Sequence, residues 1–310
     1  MISSALQAER SWYQSESANE FCERFQEVAR RSIPDVVNEV VEPSAPRAVF
    51  LTGSVPLGMG TNGSDVDLIV FVDSKECLTQ VRHRPRGEAE QKMSYSSESD
   101  PLRARLFIAV INGITVEIAA VLVSGIQRVH ARLRSPGPDL DENEVMVLGR
   151  LGTGWLLTES AEYLARSGIS LSDKNLHVYC SVKRWIFALA YRYKSLKALA
   201  LADIPQALHL GRLSMESAYL AYFASEAFPY LGAKWLAQIG HARGARERTE
   251  RHPLLKEGVP LLFPAFLTEA SAVEAYLGSV TSFLTAMRSL IEQKTLFRIA
   301  YQACPQIYSL

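Results

Sequence analysis

The chain has 310 residues, enough for two domains and a sizeable core. Apolar residues make up 48% and charged residues 21%, the profile of a globular protein and not of a disordered chain. Lys plus Arg equals Asp plus Glu at 33 each, which argues against a broad non-specific nucleic-acid footprint, since that needs a basic excess.

The cysteines Cys22, Cys77, Cys180 and Cys304 are scattered without a C-x-x-C pair, so neither a zinc site nor a redox motif is indicated. A reduced, cytoplasmic setting is expected. The N-terminus lacks the charged start and apolar core of a signal peptide, and nothing approaches the roughly 20 apolar residues of a membrane span.

In chain order, residues 2–31 read as helical, with Trp12, Phe21, Phe25 and Val28 on an uneven apolar face. Pro34 breaks or restarts that helix, and Pro43 and Pro46 mark a loop. Arg47-Ala-Val-Phe-Leu-Thr52 reads as the first strand and delivers Gly53-Ser54 at its C-terminal end. Ligands bind at such strand ends in α/β sheets. A helix opening near Ser54 would present free backbone N–H groups to phosphate, and Pro56 suits an early helical position.

Asp65-Val66-Asp67 then runs into the β-branched stretch Leu68-Ile-Val-Phe-Val72, a buried strand by composition. Side chains alternate along a strand, so Asp65 and Asp67 face one way and Val66 the other. Two adjacent carboxylates repel and are costly to desolvate without a cation. Oxygen ligands of this kind suit Mg²⁺, which takes one or two carboxylates plus substrate phosphates. The plain alternative is a glycine-rich hairpin with two surface aspartates. Gly58-Met-Gly60-Thr-Asn-Gly63 also fits the dinucleotide fingerprint, but that motif needs a helix directly after it, whereas a strand pattern follows.

Residues 73–103 lose periodicity and contain Arg82-His-Arg-Pro-Arg86; they read as a polar loop with one short helix, either a basic flap or simply solvated surface. Asn112-Gly113 between two apolar runs predicts an antiparallel hairpin over 105–123. Glu117 is the one acid in that hairpin, between Val116 and Ile118, so it either needs a partner or lies on a solvent face. A short helix and a linker follow over 124–140. Residues 141–158 stay ambiguous between helix and loop, interrupted by Gly149, Gly152 and Gly154. From residue 159 the pattern is helical: 159–166, a long helix capped by Ser172-Asp173, then 212–228, 231–242 and 268–299.

The order Gly53-Ser54, spacer, Asp65-Val66-Asp67, apolar strand resembles the nucleotidyltransferase superfamily related to DNA polymerase β. The resemblance implies an α+β protein. A mixed nucleotidyltransferase sheet with flanking helices would occupy 1–150, and an all-α substrate-binding domain 151–310. It implies that Gly53 and Ser54 hold the nucleotide's phosphates and that Asp65 and Asp67 carry Mg²⁺, two ions by the family pattern. Glu117 matches the family's third acid in place and type. Lys183, on the long helix, matches a lysine that in related enzymes reaches the triphosphate, although a lysine on an amphipathic helix ordinarily faces water. Pro229-Tyr-Leu-Gly-Ala-Lys-Trp-Leu236 resembles a stretch in the helical domain of aminoglycoside- and lincosamide-modifying nucleotidyltransferases, or is a tight connection packed by Tyr230 and Trp235; Lys234 has no assigned role.

The expected reaction is transfer of a nucleoside monophosphate, AMP from ATP by default, to a small-molecule hydroxyl, with pyrophosphate leaving. The rivals are an oligonucleotide or RNA nucleotidyltransferase, a protein adenylyltransferase, and a non-catalytic nucleotide-binding protein on the same fold. No membrane partner is expected, and the oligomeric state is open.

Overall fold

The computed structural model describes residues 15–45, 47–60, 64–78, 92–95, 102–135, 138–158, 174–226, 236, 253–264 and 267–292. The chain divides into two compact units, Met1–Ser172 and Asp173–Leu310. The first is α+β and the second helical.

Among the described residues the first unit opens with α1 (Ala18–Ala29), N-capped by Ser17, whose hydroxyl accepts from the Glu20 amide. Helix α2 (Ile33–Val37) starts with a capping box: Ser32 and Asp35 each accept from the other's backbone amide, with Pro34 in the first turn. The Ser32 hydroxyl and amide together hold the Asp35 carboxyl below the usual carboxylate range. Six strands follow: β1 (Ala48–Thr52), β2 (Val66–Val72), β3 (Lys92–Tyr95), β4 (Arg103–Ile111), β5 (Ile114–Leu122) and β6 (Trp155–Thr158). Between β5 and β6 lie α3 (Val123–Leu133) and α4 (Glu142–Thr153).

The strands form one mixed sheet in the order β3-β4-β5-β2-β1-β6. The β2–β5 pair is parallel and the other four pairs are antiparallel. The β4–β5 turn is Asn112-Gly113, both at positive φ (47° and 82°), as a tight two-residue hairpin requires. The Asn112 side-chain amide donates to the Ala29 carbonyl at 3.0 Å, tying the hairpin to the end of α1.

Strand alternation sorts the sheet into two faces. Val49, Leu51, Val66, Leu68, Val70, Val116 and Ile118 share a core with Phe21 and Phe25 of α1 and Val36 and Val37 of α2. The alternate residues face the other way. Among them Phe50 and Phe71 pack with ring centroids 5.1 Å apart. Asp67 and Glu117 belong to this second set, and so does Thr52. Helix α3 contacts β5 and α4 contacts β1.

Four features differ from the sequence-based expectation. The segment after β1 forms turns over residues 53–58, not a helix. Residues 92–95 form an edge strand inside the expected loop, where a 3-10 turn at Lys75–Cys77 also occurs. The ambiguous stretch resolves into helix α4 and strand β6, because a second capping box, Asp141 with Glu144, starts the helix despite Gly149 and Gly152. Because β6 pairs with β1, the sheet continues past residue 150 and the first unit runs to Ser172. The expected helices over 159–166 and 231–242, the Ser172-Asp173 cap and the Arg82–Arg86 run lie outside the described residues.

The second unit contains α5 (Lys174–Ala200), α6 (Ile204–Ser225), α7 (Pro253–Leu262) and α8 (Ala270–Glu292). Helix α7 was not expected from the sequence. Small residues bring these helices close. A Cβ at Gly211 would stand 2.7 Å from Leu277, and one at Gly258 would stand 2.2 Å from the Phe283 ring and 2.5 Å from the Tyr219 hydroxyl. Ser181 and Ser214 each donate at 2.7 Å to a carbonyl across the α5–α6 interface, of Ala221 and Ala188 respectively. Tyr219 stacks on Phe283 at 5.4 Å and donates its hydroxyl to the Leu255 carbonyl. No helix among the described residues is long and apolar enough to cross a membrane.

Candidate active site

The parallel pairing of β2 with β5 sets Asp67 directly opposite Glu117. Neighbouring strands run about 4.8 Å apart, and residues in register across a parallel pair point to the same face. Both side chains are half-buried. Their neighbours in the chain, Val66, Leu68, Val116 and Ile118, are buried on the opposite face. The hydrophobic pattern thus fixes the register, and the register brings two carboxylates together. Asp65 lies two residues earlier, just ahead of β2, and is exposed.

On its other side Asp67 faces the end of β1. Thr52 is its register partner there, and the buried Thr52 hydroxyl donates to the Asp67 backbone carbonyl at 3.2 Å. Next comes Gly53, with φ at +77°, a left-handed conformation that favours glycine. Its missing side chain is also a spatial requirement: a Cβ there would fall 2.1 Å from Asp67 Oδ2 and 2.9 Å from its Cγ. Gly53 therefore cradles the Asp67 carboxylate.

The turn continues from Gly53 to Gly58, which is also left-handed at φ +69°. Gly58 donates its amide to Val55 O and Met59 donates to Ser54 O, both at 2.9 Å. These bonds close a compact turn where a phosphate-binding helix start was expected, and Pro56 lies in it. Ser54 is buried at 4% exposure. Gly60 belongs to the described chain while 61–63 do not, and the strand that follows excludes the dinucleotide reading, which needs a helix.

A residue that sequence reasoning passed over completes the group. Arg150 of α4 donates from Nη1 to Asp67 Oδ1 at 3.2 Å. Its position is set at both ends of the helix. At the start, the Asp141–Glu144 capping box is reinforced by Arg132, which pairs with the buried Glu144 carboxylate. At the end, Gly154 lies so close to β1 that a Cβ would stand 2.8 Å from the Leu51 carbonyl oxygen. No motif marked Arg150, because a helix nested between two strands is needed to bring it to Asp67.

Lys183 belongs to α5 of the second unit, with its ammonium 5.5 Å from the Tyr179 ring centroid. The Tyr230, Lys234 and Trp235 stretch lies outside the described residues. Among the described residues, no group of three or more His, Cys, Asp or Glu side chains is arranged to hold a metal ion. The donor set fits a magnesium ion in one form only. One or two carboxylates would share the ion with water and with a substrate's phosphates, in place of an all-protein cage.

No family model and no curated protein matches the chain. Among the solved structures similar to the chain is a nucleotidyltransferase-like protein from Exiguobacterium sibiricum 255-15, 11% identical, with a TM-score of 0.38, covering 84% of this chain and 75% of that one. Similarity of that degree does not fix an activity.

Proposed function

We propose that the protein is a magnesium-dependent nucleotidyltransferase that moves a nucleoside monophosphate from a nucleoside triphosphate to a hydroxyl of a small molecule. The observation that carries this reading is the pairing of Asp67 with Glu117 on parallel strands beside the Gly53 turn. Two half-buried carboxylates side by side repel each other, and sites with that arrangement are suited to cations.

Asp65 and Asp67 would hold the ions, with Glu117 on the acceptor side. Bound Mg²⁺ neutralises charge on the phosphates and on the attacking and leaving oxygens. The turn at Gly53-Ser54 would bind the phosphates. Glu117, whether as a base or as a ligand, serves the acceptor hydroxyl. In the base role its carboxylate takes the hydroxyl proton as the acceptor oxygen bonds to the α-phosphorus. The bond from that phosphorus to the bridging oxygen of the β-phosphate breaks, and pyrophosphate leaves with the electron pair. Balanced charge favours a small acceptor over a polynucleotide. ATP is the default donor by the family resemblance alone.

Arg150 already engages one Asp67 oxygen, which favours a second reading, a non-catalytic nucleotide-binding protein. Pyrophosphate release from ATP, with Mg²⁺ and a pool of hydroxyl metabolites, separates the two. The transferase reading expects release in the wild type and none above background in Asp67→Asn, with both proteins folded. Equal release by the two proteins would exclude the assignment of Asp67.

A further inference from the structure

We propose that Arg150 is a built-in counter-cation of Asp67, which must let go before a divalent ion binds, so that metal and nucleotide enter the site together. This rests on the transferase reading above and adds to it a control on how the site fills. The guanidinium lies 3.2 Å from Asp67 Oδ1, with the two side chains 26% and 18% exposed. It does not arrive there on a loose tether. The capping box at Asp141 and the Arg132–Glu144 pair fix the start of α4, and the close approach of Gly154 to Leu51 fixes its end.

A guanidinium and a dication compete for the same carboxylate oxygen and repel each other across it. Without nucleotide, Arg150 balances part of the charge of Asp67 and Glu117, and an incoming ion must displace it. A triphosphate changes that balance. The planar guanidinium pairs with phosphate oxygens through two parallel hydrogen bonds, so phosphates offer Arg150 an alternative partner as strong as the one it leaves. Nucleotide binding then frees Asp67 for metal. By linkage, metal strengthens nucleotide binding by the same factor.

The test uses the full chain and Mn²⁺ as the probe, followed by calorimetry and by electron paramagnetic resonance, first with no nucleotide. Arg150→Gln is expected to bind Mn²⁺ on the order of tenfold more tightly than wild type, the scale for removing a unit charge beside a dication in a half-exposed site. Arg150→Lys keeps the charge and is expected within about threefold of wild type. Asp67→Asn combined with Arg150→Gln should lose the gain. In the second arm, the ratio of ATP affinities with and without Mn²⁺ should be larger in wild type than in Arg150→Gln; chelation in solution is common to both and cancels. Thermal melting checks that each variant is folded, and Arg150→Met, uncharged and of similar length, carries the same expectation should the glutamine variant not fold. Mn²⁺ binding equal in wild type and in the uncharged variant overturns the proposal while leaving Asp67 a ligand. A lysine variant that gains as much as the glutamine variant also overturns it. Absence of Mn²⁺ binding in every protein, with and without ATP, removes the metal reading itself and this proposal with it.

Discussion

Gly53→Ala is the most discriminating single change. Its first cost is the backbone: φ is +77°, and a left-handed conformation costs a residue with a Cβ about 1–2 kcal/mol. Its second cost is the contact with Asp67, whose Oδ2 would lie 2.1 Å from the new methyl group and Cγ 2.9 Å. The Asp67 backbone cannot retreat, because β2 is hydrogen-bonded to β1 on one side and β5 on the other. The carboxylate must therefore rotate to another staggered position and release Arg150, a partly exposed pair worth about 0.5–1 kcal/mol. The sum is about 1.5–3 kcal/mol, or on the order of 3–12 °C in the melting temperature of a unit this size. Activity should fall further than stability, by about 10²-fold or more, because a small displacement of a positioned group costs that much in rate. Gly113→Ala is the control: φ is +82° but nothing lies within 4 Å of the added Cβ, so only the backbone cost applies and transfer should be unaffected. Circular dichroism melts and pyrophosphate release measure the two effects. The reasoning fails if Gly53→Ala melts with Gly113→Ala and releases pyrophosphate at the wild-type rate.

Glu117→Gln keeps size but loses charge and basicity, and should slow the chemical step by roughly 10²-fold while nucleotide binding survives; single-turnover kinetics with a separate binding titration checks it. Ser54→Ala removes a hydroxyl buried in the turn, so pyrophosphate release should fall by about tenfold if that group touches phosphate; a wild-type rate would take Ser54 out of the site. Gly258→Ala presses a methyl group into the Phe283 ring and the Tyr219 hydroxyl and should destabilise the helical unit by about 1–3 kcal/mol, read by urea unfolding.

The legible parts of the fold were those whose signal is local. Leu68 to Val72 is an uninterrupted apolar run rich in β-branched residues, and Asn112-Gly113 has one natural turn geometry. The parts that were missed depend on partners distant in the chain. Strand β6 has four residues and is a strand because β1 offers it an edge. Helix α4 holds two glycines that propensity counts against, and its capping box and its packing against β1 outweigh them. At residues 53–58 two left-handed glycines turned the chain where Pro56 suggested a helix. In the site, the neighbourhood of Asp67 and Glu117 could be anticipated from strand alternation and a family pattern. Arg150 could not, because nothing in the residues around it says which strand end its helix will meet.

The parallel pairing of β2 with β5 also shapes how the protein reaches its native state. The β4–β5 hairpin closes through two residues and can form by itself, but β2 and β5 are joined through the whole of residues 73–113, so their pairing waits on a long loop closure. Asp67 and Glu117 stay apart until that step, and their mutual repulsion appears at that moment. The charge of the two carboxylates therefore acts against the final docking of the sheet. Arg150 reaches its place only when α4 has packed on β1, so the relief it brings depends on that packing. Refolding should thus be faster in solutions whose ions screen carboxylates, and the slow step should be sensitive to changes at Glu117 that leave the hairpin intact.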